Sequence, residues 1–354
     1  MAQLQLSKEI LEEISNFNRK VLKTVETLVR IPDVPVGTTP AEEIYRENKL
    51  RVLHYKPMVE KTYPTPLVVS FALINRYYIL DLQPERSVVQ ALLKRGFDIY
   101  MIDWGTPSAA DRYLTIDDYV NGYMDHVVDA VRSRTGNDKV TLLGYCMGGT
   151  FAVIYSALHP EKVRNLIVQA AGVDFENCGG IINVWSKYMD VDRMVDTLGN
   201  IPGDMMNAGF LMLNPVRLLL DKYVSLFENI ENEEAVKSFL AMEKWIFDSP
   251  PLAGETYREF VKKLYQKNLL IKNQLEIGGK KVDLKKIDVP ILILIAENDN
   301  LVPPESALRI KDAIASKDIE VISCPTGHIG LSVSSIAHKQ VWPKVAEWLK
   351  ARSQ

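Results

Sequence analysis

The stretch 139–158, KVTLLGYCMGGTFAVIYSAL, constrains this chain more than any other: an apolar strand, then Gly144-Tyr145-Cys146-Met147-Gly148, then a helix opening on small residues. A G-x-nucleophile-x-G sequence between a strand and a helix is the nucleophile elbow, here with Cys where Ser is commoner. The turn sets its central residue on a strained backbone crowded by neighbouring chains, so glycine is needed on both sides. Cys146 would then face outward at a helix N-terminus, where the helix dipole favours negative charge.

An elbow needs a sheet around it, and the surrounding sequence supplies one. Short apolar runs alternate with helical patterns: RVLHY, PLVVSFALI, FDIYMIDW, KVTLLGY, VRNLIVQAAG, VPILILIAEND and IEVISC. Such runs predict buried parallel strands joined by crossover helices, with helix candidates at Glu85–Arg95, Ile116–Ser133, Gly148–Leu158 and Ile336–Lys350. The fold class is α/β, a mostly parallel, doubly wound sheet of the α/β-hydrolase type.

Two regions depart from the alternation. Residues 1–45 begin with an apolar stripe at 6, 10, 14, 17, 21, 25 and 28, which reads as a helix packing on the core or docking a partner. Residues 178–274 lose strand character and become helical and rich in Met, Trp and Phe. They read either as an ordinary helical subdomain core or as a cap over the site, since they interrupt the chain between the nucleophile strand and the last strands. Soft Met side chains suit an adaptable apolar pocket. The expected division is therefore an N-terminal helical segment (1–45), an α/β core (46–177 and 275–354) and an inserted helical cap (178–274).

Among the five histidines only His328 falls in a Gly-flanked loop, PTGHIG, after a terminal strand, where the general base of this fold belongs; His54, His126, His159 and His338 lie in strand or helix patterns. Asp299 ends the run ILILIAEND just before a Pro-initiated helix and is the preferred acid, with Asp174 and Asp103 as competitors. The order Cys, Asp, His is that of the α/β-hydrolases. An oxyanion hole needs the backbone N–H of Met147 and one from the loop FALINRYYILD, at Ile74 or its neighbour Asn75.

Composition excludes several functions. With 42 Lys+Arg against 45 Asp+Glu, a net charge of −3 and no basic block, nucleic-acid binding is not expected. Three cysteines (146, 178, 324) without metal-ligand spacing fit a reducing, cytoplasmic setting and no metal site. No signal peptide and no run of roughly eighteen apolar residues for a membrane span are expected. Cysteine itself carries a reaction: thiolate attack on a thioester exchanges one thioester for another, so the acyl group stays activated and can pass to an alcohol. Thioester acyl transfer is preferred over two rivals, a thiol hydrolase or thioesterase of dienelactone-hydrolase type and a binding protein on a hydrolase scaffold.

The stretches FALINRYYILDLQPERS, FDIYMIDWGTP, LTIDDYVNGYMDHVVD, LLGYCMGGT, VDTLGNIPG, MEKWIFDSPPLAGETYREF, AENDNLVPP and PTGHIG resemble the catalytic subunit of polyhydroxyalkanoate synthases, particularly the two-subunit class III type. The resemblance implies polymerisation of (R)-3-hydroxyacyl-CoA, short-chain monomers such as 3-hydroxybutyryl-CoA, into polyester with release of coenzyme A, which is part of the substrate; no other cofactor is implied. By position, Cys146 would hold the growing polyester chain as a thioester and His328 would be the base. Asp299 would either orient His328 or assist the incoming 3-hydroxyl. Also implied are an accessory synthase subunit, a homodimer and a place at the granule surface. Asn300 departs from the family, which often has His there, and GYCMGG is also similar to class IV enzymes, whose partner differs.

Overall fold

The computed structural model describes residues 8–31, 33–176 and 179–353. Cys178, and with it the boundary between core and insertion, lies outside the described residues, as does Leu6.

The strands are β1 (Ala41–Glu47), β2 (Leu50–Tyr55), β3 (Leu67–Ser70), β4 (Ile99–Asp103), β5 (Val140–Tyr145), β6 (Val163–Gln169), the short pair β7 (Glu276–Ile277) and β8 (Lys280–Lys281), β9 (Ile291–Ala296) and β10 (Ile319–Cys324). Eight of them form one sheet in the order β1-β2-β4-β3-β5-β6-β9-β10. Strands β3, β4, β5 and β9 are buried at every residue, which is what covering both faces of a parallel sheet requires of an uninterrupted apolar run. Parallel register puts Val69 opposite both Met101 and Leu143. The carboxyl ends of β3, β5, β9 and β10 therefore open onto one edge, where the loops after Ser70, Tyr145, Ala296 and Cys324 converge.

Two sequence expectations need correction at the N-terminal side. RVLHY forms β2 but runs antiparallel to β4, and it is preceded by β1, which begins at Ala41 inside the segment assigned as helical. The alternation of Glu and Arg in AEEIYRE carries no core signal; the strand exists because pairing with β2 satisfies its backbone, and its charges suit an exposed sheet edge. Helix α1 (Lys8–Arg30) forms, yet it does not pack its stripe on the core. Among its described side chains only Thr27 is buried, while Phe17, Leu22, Val25 and Val29 are exposed.

Helices α2 (Val88–Leu93), α3 (Asp125–Thr135) and α4 (Met147–Leu158) are the crossovers of the first half. Between β6 and β9 the chain forms α5 (Ile181–Tyr188), α6 (Val191–Leu198), α7 (Gly203–Leu211), α8 (Lys222–Glu228), α9 (Glu233–Phe247) and α10 (Gly254–Glu259), with π-helical turns at Val216–Asp221 and Phe260–Gln266. Arg258 of α10 staples this layer to α6 through Asp192 and Asp196, at 2.6 Å each. Phe17 of α1 meets Phe227 of α8, ring centroids 5.6 Å apart. The C-terminal part holds α11 (Pro304–Leu308), α12 (Ile310–Ala313), α13 (Gly330–Val333), α14 (Ser335–Gln340) and α15 (Trp342–Lys350). The last two were expected as one helix; Pro343 lacks an N–H to continue α14 and instead starts α15.

Candidate active site

Cys146 sits between the end of β5 and the first residue of α4 with φ 55° and ψ −127°, a conformation that only a constrained turn imposes on a side chain bearing a Cβ. Hydrogen bonds fix it on both sides: its N–H donates to Gln169 O at 2.9 Å, and its carbonyl accepts from Gly149 N–H at 2.9 Å and Thr150 N–H at 3.2 Å. The glycine requirement is physical. A Cβ on Gly148 would stand 2.2 Å from Ser70 O and 2.4 Å from Phe71 O, so α4 can approach the end of β3 only without one. This contact brings the elbow and the loop after β3 together.

His328 is buried beside it. Its Nδ1 is 2.7 Å from Asp299 Oδ2, so Nε2 is the ring nitrogen left for Cys146, whose thiol is near enough to raise the proton affinity of the imidazole. The other Asp299 oxygen, Oδ1, accepts from the N–H groups of Leu301 and Val302, each at 2.9 Å, so the carboxylate is aimed by its own loop before it meets the imidazole. Burial alone would lower the proton affinity of His328; the charges of Asp299 and Cys146, with their hydrogen bonds, outweigh it and push the imidazole up to about 10.

Neither competing carboxylate reaches this place. Asp174 accepts from Asn268 and from Glu176 N–H, and Asp103 pairs with Arg51 and accepts from Gly105 N–H. The other histidines have partners of their own: His54 with Asp98, His126 with Glu47, His159 with Asn121 and His338 with Ser332 O.

Tyr145 belongs to the site although sequence reading passed over it. Fully enclosed, it donates from its hydroxyl to His328 O at 3.1 Å and stacks on the imidazole with centroids 5.3 Å apart. A tyrosine before the nucleophile in the elbow motif was the available signal, but the stacking depends on a loop 183 residues away.

Two cavities meet at Cys146. One, of about 240 Å³, is walled by apolar side chains including Trp185, Met189, Met206, Phe260 and Tyr265. The other, of about 500 Å³, has more polar residues around an equally apolar surface, among them Asn75, Asn207, Arg217, Asn300 and His328. Ile74, Cys146, Phe210 and Leu301 line both. Met147 lines the apolar cavity at the start of α4. Among the described residues no group of three or more His, Cys, Asp and Glu could hold a metal, and no helix is long and apolar enough to cross a membrane.

A mostly parallel sheet with a strained elbow cysteine, a buried histidine after the last strand and an aspartate hydrogen-bonded to that histidine defines an α/β-hydrolase-fold protein, and the model of the alpha/beta hydrolase fold matches residues 77–333. The monoacylglycerol lipase of Paleococcus ferrophilus shares the fold at 14% identity, with TM-score 0.55 over 86% of this chain and 100% of that one. A carboxylesterase of Nitrososphaera gargenis does so at 14% identity and TM-score 0.54, over 89% of this chain and 99% of that one.

Within that fold the chain belongs to the poly(3-hydroxyalkanoate) polymerase subunit PhaC family. The model of the poly-beta-hydroxybutyrate polymerase (PhaC) N-terminus matches residues 8–92. The protein so named in Haloferax mediterranei is 47% identical, over 99% of this chain and 72% of that one. Those of Synechocystis and Allochromatium vinosum are 45% and 43% identical, over 98% and 97% of this chain and 94% and 98% of theirs.

Proposed function

We propose that this chain is the catalytic subunit of a poly(3-hydroxyalkanoate) synthase, an acyltransferase that polymerises (R)-3-hydroxyacyl-CoA, with short-chain monomers such as 3-hydroxybutyryl-CoA as substrates. The observation that carries the reading is the Cys146–His328–Asp299 chain of contacts opening into two cavities, in a protein whose relatives are named polymerase subunits.

In the first step Cys146 Sγ attacks the thioester carbonyl; the bond to the coenzyme A sulfur breaks, and the departing thiolate takes its proton from His328. The backbone N–H groups of Met147 and Ile74 receive the developing oxyanion. In the second step the 3-hydroxyl of another hydroxyacyl-CoA gives its proton to His328 and attacks the acyl-Cys146 thioester, forming the ester and freeing the thiol. The elongated acyl-CoA then returns its chain to Cys146 with release of coenzyme A. Asp299 holds His328 in the tautomer and orientation this requires. Coenzyme A enters and leaves within substrate and product, so the reaction needs no separate cofactor.

Residues 178–274 act as a cap whose Met- and aromatic-lined cavity excludes water from the acyl-thioester, favouring the hydroxyl acceptor over hydrolysis. The relatives' name, subunit, supports an accessory protein. In the proposed complex this partner is of the two-subunit, class III kind, the chain forms a homodimer through the cap, and the whole works in the cytoplasm at the surface of the polyester granule.

The test mixes the chain, with and without an accessory subunit, with (R)-3-hydroxybutyryl-CoA while free thiol and acyl products are measured. Thiol release lost in Cys146→Ala together with oligomeric ester is the expected result. Release of free 3-hydroxybutyrate alone would replace the synthase with a thioesterase.

A further inference from the structure

The loop that carries Ile74 is held from outside the α/β core. Asn75 has φ 63°, the left-handed conformation that asparagine tolerates better than other residues with a Cβ, and its side-chain amide donates to Ile246 O at 3.4 Å and to Ser249 Oγ. Both acceptors belong to the end of α9 and the turn after it, more than 170 residues on. The same turn grips the next residues of the loop: Trp245 Nε1 donates to Arg76 O at 2.7 Å, Arg76 Nε to Asp248 Oδ1 at 3.1 Å and Tyr78 OH to Asp248 Oδ2 at 2.9 Å. Asn207 of α7 donates to Ile246 O at 2.5 Å and to Ser249 Oγ at 2.9 Å, completing a polar knot between the loop and the insertion.

We infer that Asn75 and Ser249 are positioning residues that set the oxyanion-stabilising N–H of the loop after β3 according to where the helical insertion sits. Both protons of the Asn75 amide go to the insertion, although a residue in this conformation commonly bonds within its own loop. The strained backbone at Asn75 is thus maintained by contacts that exist only while the end of α9 is docked. Displacing α9 relaxes residues 74–76 and withdraws the donor from Cys146; docking restores it. Ser249 lines neither cavity, so its influence on chemistry passes through the two amides it accepts from, Asn75 in the loop after β3 and Asn207 in α7, rather than through contact with substrate.

The inference rests on the acyl-transfer reading for its turnover arm only, and a second arm is independent of it. Ser249→Ala and Asn75→Gly, the latter keeping the preference for positive φ while losing the donor and adding no charge to the cavity, are assayed in the full chain with (R)-3-hydroxybutyryl-CoA. Expected is a fall in kcat of about tenfold for Ser249→Ala and about a hundredfold for Asn75→Gly, KM within twofold, and a double variant whose loss falls short of the product of the single losses. In the second arm iodoacetamide alkylates Cys146, a displacement that forms no oxyanion, and butanal protects by adding reversibly to the thiol as a hemithioacetal whose oxygen occupies the hole. Both variants should keep the wild-type alkylation rate yet need about tenfold more butanal for half-protection. Unchanged protection, or an alkylation rate that falls with kcat, overturns the inference. Wild-type enzyme that binds butanal but does not turn over the thioester overturns the acyl-transfer reading and leaves the positioning role to be judged on protection alone.

Discussion

His328 is enclosed between a carboxylate and a thiol, and this sets a pH dependence that can be worked out with its sign. Its proton affinity rises from 6.5 to about 10 in the fold, so protonated His328 favours the folded state. The contribution is complete below pH 6.5, falls through the interval between, and is gone above about 10. The thermal midpoint should therefore decline from pH 6.5 to 10 more steeply in the wild type than in Asp299→Asn, which removes the main charge that raises the imidazole. The same substitution should lower kcat by about a thousandfold or more, because the amide no longer fixes the tautomer. Parallel pH profiles of the midpoint in the two proteins would contradict the assignment of Asp299. Cys146 and His328 could be picked out from sequence because each lies in a local Gly-flanked motif. Asp299 is preferred among three strand-end aspartates in the sequence, and its contact with His328 is what sets it apart from Asp174 and Asp103 in the fold. The roles of Tyr145 and Asn75 were not legible, since each depends on a partner more than 170 residues away.

At the scale of elements, the strands could be read where both faces are covered, because burial of every residue writes a continuous apolar run. The reading failed where burial is partial. Edge strand β1 has a charged, exposed face and no run to show, and α1 has the stripe of a core helix but touches α8 through Phe17 and leaves most of the stripe exposed. Periodicity reports that a face is apolar, not what covers it. The elbow is the element whose geometry is most tightly specified, and Gly148 is where a minimal change tests it. Ala at this position places a methyl within 2.4 Å of two carbonyl oxygens of the β3 end, so α4 must shift away from the sheet. Gly148→Ala should cost about 1–3 kcal/mol in urea unfolding and remove thiol release, because Cys146 and the loop after β3 separate together. Full activity with unchanged stability would mean that α4 and β3 are less closely opposed than this contact requires.

For the molecule as a whole, the arrangement that matters is the meeting of an α/β core and a helical insertion at one sulfur atom. The core contributes Cys146, Ile74 and Leu301 to both cavities, and the insertion contributes Phe210. Phe210 on α7 therefore borders both a chamber of about 240 Å³ and a larger one of about 500 Å³, each open to Cys146. In the proposed reaction an acyl group on Cys146 places its 3-substituent on one side of this ring, and the room there would limit the length of that substituent. Removing the ring with Phe210→Ala joins the two spaces beside the sulfur without touching Cys146, His328 or Asp299. Each methylene accommodated in an apolar pocket changes discrimination by about 1–3 kcal/mol, so the ratio of kcat/KM for 3-hydroxyhexanoyl-CoA to that for 3-hydroxybutyryl-CoA should rise at least about tenfold. Thermal midpoint and iodoacetamide reactivity of Cys146 serve as controls that the site survives. A variant with both controls intact and the ratio unchanged would place the limit on side-chain length elsewhere, in the Met- and Trp-lined wall contributed by α5 and α7.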